Sequence, residues 1–133
     1  MNKVVFACVH NAGRSQMAEA YFNALCDPDK AQAVSVGSQP GERVHPEVVR
    51  AMLEVGIDLS RSRPKALTPE AIAGASLLVT MGCGDLCPLV PGLQRDDWPL
   101  QDPKGKDDAT VRSIRDEIRS RVEGLLASRG WGA

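Results

Sequence analysis

The chain has 133 residues with a formal net charge of −1 and a pI near 6.1. This is the size of one domain with one core over residues 1–133, and the near-neutral balance excludes a general affinity for nucleic acid or an anionic membrane. No apolar run is long enough to span a bilayer, and two Phe, one Tyr and two Trp cannot make a base-stacking platform or an aromatic cage.

The first predicted element is a fully buried strand over residues 3–8, apolar on both faces. It ends at Cys8. From Arg14 the period becomes helical, with Met17, Ala20, Tyr21, Ala24 and Leu25 on one stripe, until Asp27-Pro28-Asp29 stops it. Ala33–Val36 is a second short strand closed by Gly37. His45-Pro46 opens the next helix, whose apolar face is Val48, Val49, Met52 and Leu53, and Gly56 suits its end. The basic run Arg61–Lys65 reads as a solvated connection, and Thr68-Pro69-Glu70 caps a short helix. Residues 76–81 form a third strand and residues 95–98 a fourth. The last helix starts near Asp107 or Asp108, carries Val111, Ile114, Ile118, Val122, Leu125 and Leu126, and stops at Gly130. Alternating strands and helices predict an α/β fold with a small parallel sheet covered on both faces. Ligands of such sheets bind outside the carboxyl ends of the strands. Cys8, Cys83 and Asp102 each follow a strand, so all three emerge on one edge.

The stretch Cys8–Ser15 joins a strand to a helix N-terminus through a compact loop. Its amides and the helix dipole suit a tetrahedral oxyanion, and Arg14 can grip two of the oxygens. The oxyanion cradle is therefore Val9, His10, Asn11, Ala12, Gly13, Arg14 and Ser15, with Cys8 at its floor as a thiolate nucleophile. Gly13 is expected to supply positive φ, Asn11 to hold the loop through its amide, and Ser15 to donate to the Cys8 sulfur. Cys26 reads as a packing residue, His10 as a solvent-facing or loop-shaping residue, and His45 as a helix-start residue. The N-terminus does not read as a signal peptide, which points to the cytoplasm, where four cysteines mean catalysis, redox cycling or metal binding.

Cys8-x5-Arg14-Ser15 followed late in the chain by Asp102-Pro103 resembles the low-molecular-weight tyrosine phosphatase fold. More closely, Asn11, residues 14–19, Val79-Thr80-Met81, Asp102-Pro103 and residues 115–118 resemble the three-cysteine arsenate reductases built on it. The resemblance covers nearly the whole chain. It implies a four-stranded parallel sheet in a three-layer sandwich and a relay from arsenate to thioredoxin. Cys8 attacks arsenic and Asp102 protonates the departing oxygen. Cys83 then attacks Cys8 and releases arsenite, and Cys87 attacks Cys83 to leave a Cys83–Cys87 disulfide for thioredoxin. No metal and no cofactor are implied, and a monomer is expected. Cys83 and Cys87 could ligate zinc, but the chain has no second paired motif.

The chain departs from the resemblance at several points. Ala12-Gly13 stands where relatives often carry a bulkier residue and another cysteine, and Cys83 and Cys87 are closer together than in relatives with a longer loop. Helical i, i+4 spacing holds Cβ atoms about 5–6 Å apart, whereas a disulfide needs about 3.5–4.5 Å, so residues 82–88 are expected to change conformation with redox state. Lys104-Gly105-Lys106 lacks the aromatics that pack on a phosphotyrosine ring, which favours a small inorganic oxyanion. Asn11, Glu19 and Ser35 match residues that surround a potassium ion in some related reductases, but a carboxylate of that set aligns with Lys65, whose ammonium can replace the ion. The alternatives left by the sequence are a small tyrosine phosphatase and an oxyanion-binding thiol sensor. The donor could also be glutaredoxin or a small thiol.

Overall fold

The computed structural model describes residues 1–82 and 92–133; Cys83 and Cys87 lie outside the described residues. In chain order the elements are β1 (Asn2–Cys8), α1 (Arg14–Leu25), β2 (Ala31–Gly37), α2 (Pro46–Leu53), α3 (Pro69–Ile72), β3 (Leu77–Thr80), β4 (Gln94–Asp97) and α4 (Asp108–Arg129). The four strands form one parallel sheet in the order β2-β1-β3-β4. Each predicted element is present, and the boundaries move by one to two residues at most ends, as hydrogen bonding rather than hydropathy sets them.

Register places the site. Cys8 pairs with Gly37, Ala7 with Thr80, and Thr80 with Asp97, so the strands end together on one edge. The central strand β1 earns its place by composition: Val4, Val5, Phe6 and Ala7 are completely buried. Alternate residues face opposite layers. Val4, Phe6 and Cys8 join a core with α1, α2 and α4, while Val5 and Ala7 join a smaller one with Val36, Ile72 and Leu78 under α3. All five aromatics are buried, so the core is less purely aliphatic than composition suggests. Phe6 meets Phe22 edge-on at 6.0 Å between ring centroids and lies 5.5 Å from Trp98. β4 is an edge strand of Gln94-Arg95-Asp96-Asp97, exposed throughout, and its charges guard that edge against pairing with another chain.

The helix ends follow their local chemistry. Asp107 caps α4 by accepting from the Thr110 N–H at 2.9 Å, and Gly130 closes it in the left-handed conformation at φ 69°. Thr68 caps α3 through the Ala71 N–H. α2 is tied to α4 by Arg115, which donates to Ala51 O and to Glu54 at 2.8 Å each, and by Arg112, which donates to Glu54 at 2.7 Å. None of the helices in the described residues is long and apolar enough to cross a membrane.

Candidate active site

The loop between β1 and α1 takes its shape from what holds its carbonyls. Cys8 O accepts from Ser38 N at 3.1 Å, Val9 O from Gln39 N at 2.7 Å, His10 O from Gly41 N at 2.9 Å and Ala12 O from His45 N at 2.9 Å. In a trans peptide the next N–H points the opposite way, so the amides of Val9, His10, Asn11 and Gly13 face the concave side. The first-turn amides of α1 have no intrahelical acceptor and extend that ring of donors. Cys8 Sγ lies on the concave side too, since it accepts from the Asn11 N–H at 3.3 Å. Gly37, at the end of β2, lets the loop lie close: a Cβ there would sit 2.8 Å from Val9 O and 2.9 Å from Asn11 N.

Gly13 does not supply the positive φ; it has φ −147° and ψ −92°. Asn11 does, at φ 51°. Asn tolerates this region better than most side chains because its short amide bonds locally. What Gly13 provides is room, since a Cβ there would lie 2.8 Å from Pro103 Cγ.

The polar groups beneath the loop form a directed chain. The Lys65 N–H can only donate, so the Asn11 atom it meets at 2.8 Å is Oδ1. Asn11 Nδ2 must then face Ser15 Oγ, to which it donates at 2.7 Å. With that lone pair taken, the Ser15 hydroxyl proton is free for Cys8 Sγ, 2.8 Å away. Gln16 is fixed by the same reasoning: Arg63 O can only accept, so Nε2 faces it at 3.0 Å and also donates to Asn11 Oδ1 at 3.1 Å. Cys8, Asn11, Ser15 and Gln16 are all buried. Ser15 and the Asn11 amide therefore both donate toward the sulfur, and the dipole of α1 adds to them.

Arg14 closes the rim. Nη1 donates to Leu100 O at 3.0 Å, and Nη2 lies 4.0 Å from Asp102 Oδ2. The guanidinium rests on Gly82, where a Cβ would come within 2.6 Å of Nη1 and where φ is +86°. Asp102 combines two roles: Oδ1 accepts from the Lys104 N–H at 3.0 Å, forming a local turn, while Oδ2 faces Arg14. The structure thus brings together Cys8, residues 9–15 and Asp102. Cys83 and Cys87 are outside the described residues; Gly82, the residue before Cys83, abuts Arg14.

His10 is a loop-shaping residue. Its Nδ1 lies 2.9 Å from Gln39 O, so that nitrogen carries the ring proton. His45 is the residue before α2, as expected; burial pushes its imidazole below the ordinary range, against an opposing pull from Glu47. Cys26 is packed in the core with Sγ donating to Ala31 O at 3.3 Å, and burial pushes its thiol up. The Arg61–Lys65 run is more than a solvated connection. Arg63 O and Lys65 N hold the network just described, Lys65 O accepts from Gly37 N at 2.8 Å, and Lys65 Nζ lies 3.4 Å from Glu19 Oε1. Gln16 was not a sequence candidate; the available signal was a polar residue on the buried first turn of α1.

The model of the family described as low molecular weight phosphotyrosine protein phosphatase matches residues 3–129, and the chain belongs to that family. Among its relatives, a protein of Halobacterium salinarum named a putative arsenate reductase is 37% identical over 128 residues, covering 93% of this chain and 90% of the relative. The glutaredoxin arsenate reductase of Synechocystis is 35% identical over 130 residues, covering 96% and 98% respectively. The thioredoxin-dependent arsenate reductase of Corynebacterium glutamicum superposes with a TM-score of 0.83 and 38% identity over 96% of this chain. This chain spans 61% of that solved chain.

Proposed function

We propose that this chain reduces arsenate to arsenite with electrons from its own thiols. The observation that carries the reading is Cys8 Sγ held by Ser15 and the Asn11 backbone N–H on the floor of a loop with four carbonyls, those of residues 8, 9, 10 and 12, drawn outward. Such a loop offers N–H donors and Arg14 to a tetrahedral oxyanion and a thiolate to its central atom. The relatives named arsenate reductases, which match more than nine-tenths of this chain, support arsenate as that oxyanion.

Cys8 sulfur bonds to arsenic(V), and an oxygen departs as water after taking a proton from Asp102. Cys83 attacks Cys8 sulfur; the S–As bond breaks, its electron pair stays on arsenic, and arsenite leaves as arsenic(III). A Cys8–Cys83 disulfide remains. Cys87 then attacks Cys83 and frees Cys8. A dithiol protein of the thioredoxin type returns the two electrons, a choice supported by the named dependence of the Corynebacterium neighbour and challenged by the glutaredoxin dependence named for the Synechocystis relative. The reading takes residues 1–133 as one domain, acting as a cytoplasmic monomer.

The deciding assay is arsenite production with thioredoxin, thioredoxin reductase and NADPH, run beside glutaredoxin with glutathione. Turnover in the first is expected, and failure in both overturns the reading. Cys83→Ser should abolish arsenate turnover. If the chain is instead a phosphatase, hydrolysis of an aryl phosphate will survive that change.

A further inference from the structure

Asp102 belongs to a loop with little to hold it. From Gln101 to Ala109 every residue is exposed except Pro103, which is buried. Its internal hydrogen bonds, Lys104 N to Asp102 Oδ1 and Lys106 N to Pro103 O, shape the loop without attaching it to anything. Besides the Arg14 guanidinium 4.0 Å from Asp102 Oδ2, the attachment is the proline ring, which enters a notch in the oxyanion loop opposite Gly13. A Cβ at Gly13 would lie 2.8 Å from Pro103 Cγ and 3.5 Å from Cδ, with His45 Cδ2 at 3.6 Å as the side wall. The backbone that carries this wall is held to the loop, because the His45 N–H donates to Ala12 O. The ring is rigid and its φ is locked, so where it sits determines where the preceding Asp102 goes.

We propose that Gly13 and Pro103 are a positioning pair, the glycine notch seating the proline so that the Asp102 carboxyl is aimed at the oxyanion site. The proposal rests on the proton-donor role given to Asp102 above. It also gives a physical reason for glycine at position 13, which the φ angle does not. A methyl group in the notch forces the ring outward by roughly 1 Å, a misplacement that can cost up to about a hundredfold in rate at a reacting group.

The test is single-turnover arsenite formation by pre-reduced protein, which needs no external donor, on wild type, Gly13→Ala, Pro103→Ala and the double variant. Gly13→Ala should slow the step by roughly tenfold to a hundredfold. Pro103→Ala should slow it less and leave competitive inhibition by inorganic phosphate within about twofold, since the oxyanion loop is untouched. The double variant should recover most of what Gly13→Ala loses, because the clashing ring is gone. Melting temperatures of the four proteins supply a second cycle, in which the Gly13→Ala penalty shrinks once Pro103 is absent. A wild-type rate in Gly13→Ala, independent losses in the double variant, additive melting shifts, or phosphate binding that falls with the rate in Pro103→Ala would each overturn the pair. A wild-type protein that reduces no arsenate fails the proposed function, whereas an active wild type with an unaffected Gly13→Ala fails this inference.

Discussion

Ser15 has one proton, and with the Asn11 side chain donating to its oxygen that proton is free for a thiolate at Cys8. The Lys65 N–H fixes the Asn11 amide, the amide occupies a Ser15 lone pair, and the hydroxyl is left to Cys8 Sγ at 2.8 Å. A hydrogen bond to a charged group contributes roughly 1.5–3 kcal/mol, so losing it should slow reaction at the sulfur about tenfold or more. Ser15→Ala should therefore slow alkylation of Cys8 by iodoacetamide by about that factor at a fixed neutral pH. An unchanged rate would mean that the loop amides alone hold the sulfur. Asn11 separates backbone from side chain. Asn11→Gly keeps the left-handed φ and loses the amide, whereas Asn11→Ala loses both, so the alanine variant should have the lower melting temperature of the two. The Ser15–Cys8 contact was legible because both residues lie in one short loop. The roles of Asn11 and Gly13 were half legible: the sequence shows two residues suited to a tight loop, but the need for room at Gly13 comes from Pro103, a residue far along the chain.

At the level of elements, α2 and α4 are joined by charge as well as packing. Glu54 accepts from Arg112 and Arg115, and these bonds hold its carboxyl down to about 2, from an ordinary value of 4.5. A carboxylate depressed by folding contributes its stability fully above the ordinary value and loses it as pH falls toward the depressed one. The melting temperature of wild type should thus fall toward that of Glu54→Gln between about pH 4.5 and 2, with a constant gap above that window. A gap that persists at pH 2 would contradict the linkage. Helix α4 was readable from its stripe, its Asp107 cap and its terminal Gly130, because those signals are local. β4 was the weakest strand in the sequence for a physical reason: Gln94-Arg95-Asp96-Asp97 has neither alternation nor strand propensity, and it is a strand because β3 offers it an edge.

Across the whole molecule, a parallel sheet collects Cys8, Gly82 and the Asp102 loop on one edge, and that convergence followed from element order alone. What was hidden is the support behind the oxyanion loop, because residues 38–45 and 61–65 carry no periodicity and act mainly through backbone groups. Lys65 reaches both the loop and Glu19, so Glu19, an anionic match to the set that surrounds potassium in some related reductases, is already paired with a cation of this chain. Activity should be the same in potassium and sodium salts at equal ionic strength; a gain specific to potassium would contradict this. The four carbonyls drawn outward from residues 8, 9, 10 and 12 also set a timescale. The amides of Ser38, Gln39, Gly41 and His45 belong to no helix or strand, yet each is locked to the rim of a buried strand end. In deuterated buffer these four should exchange as slowly as the core strands do, opening only when β1 itself comes apart. A segment that reads as irregular loop would then rank among the last parts of the protein to take up deuterium.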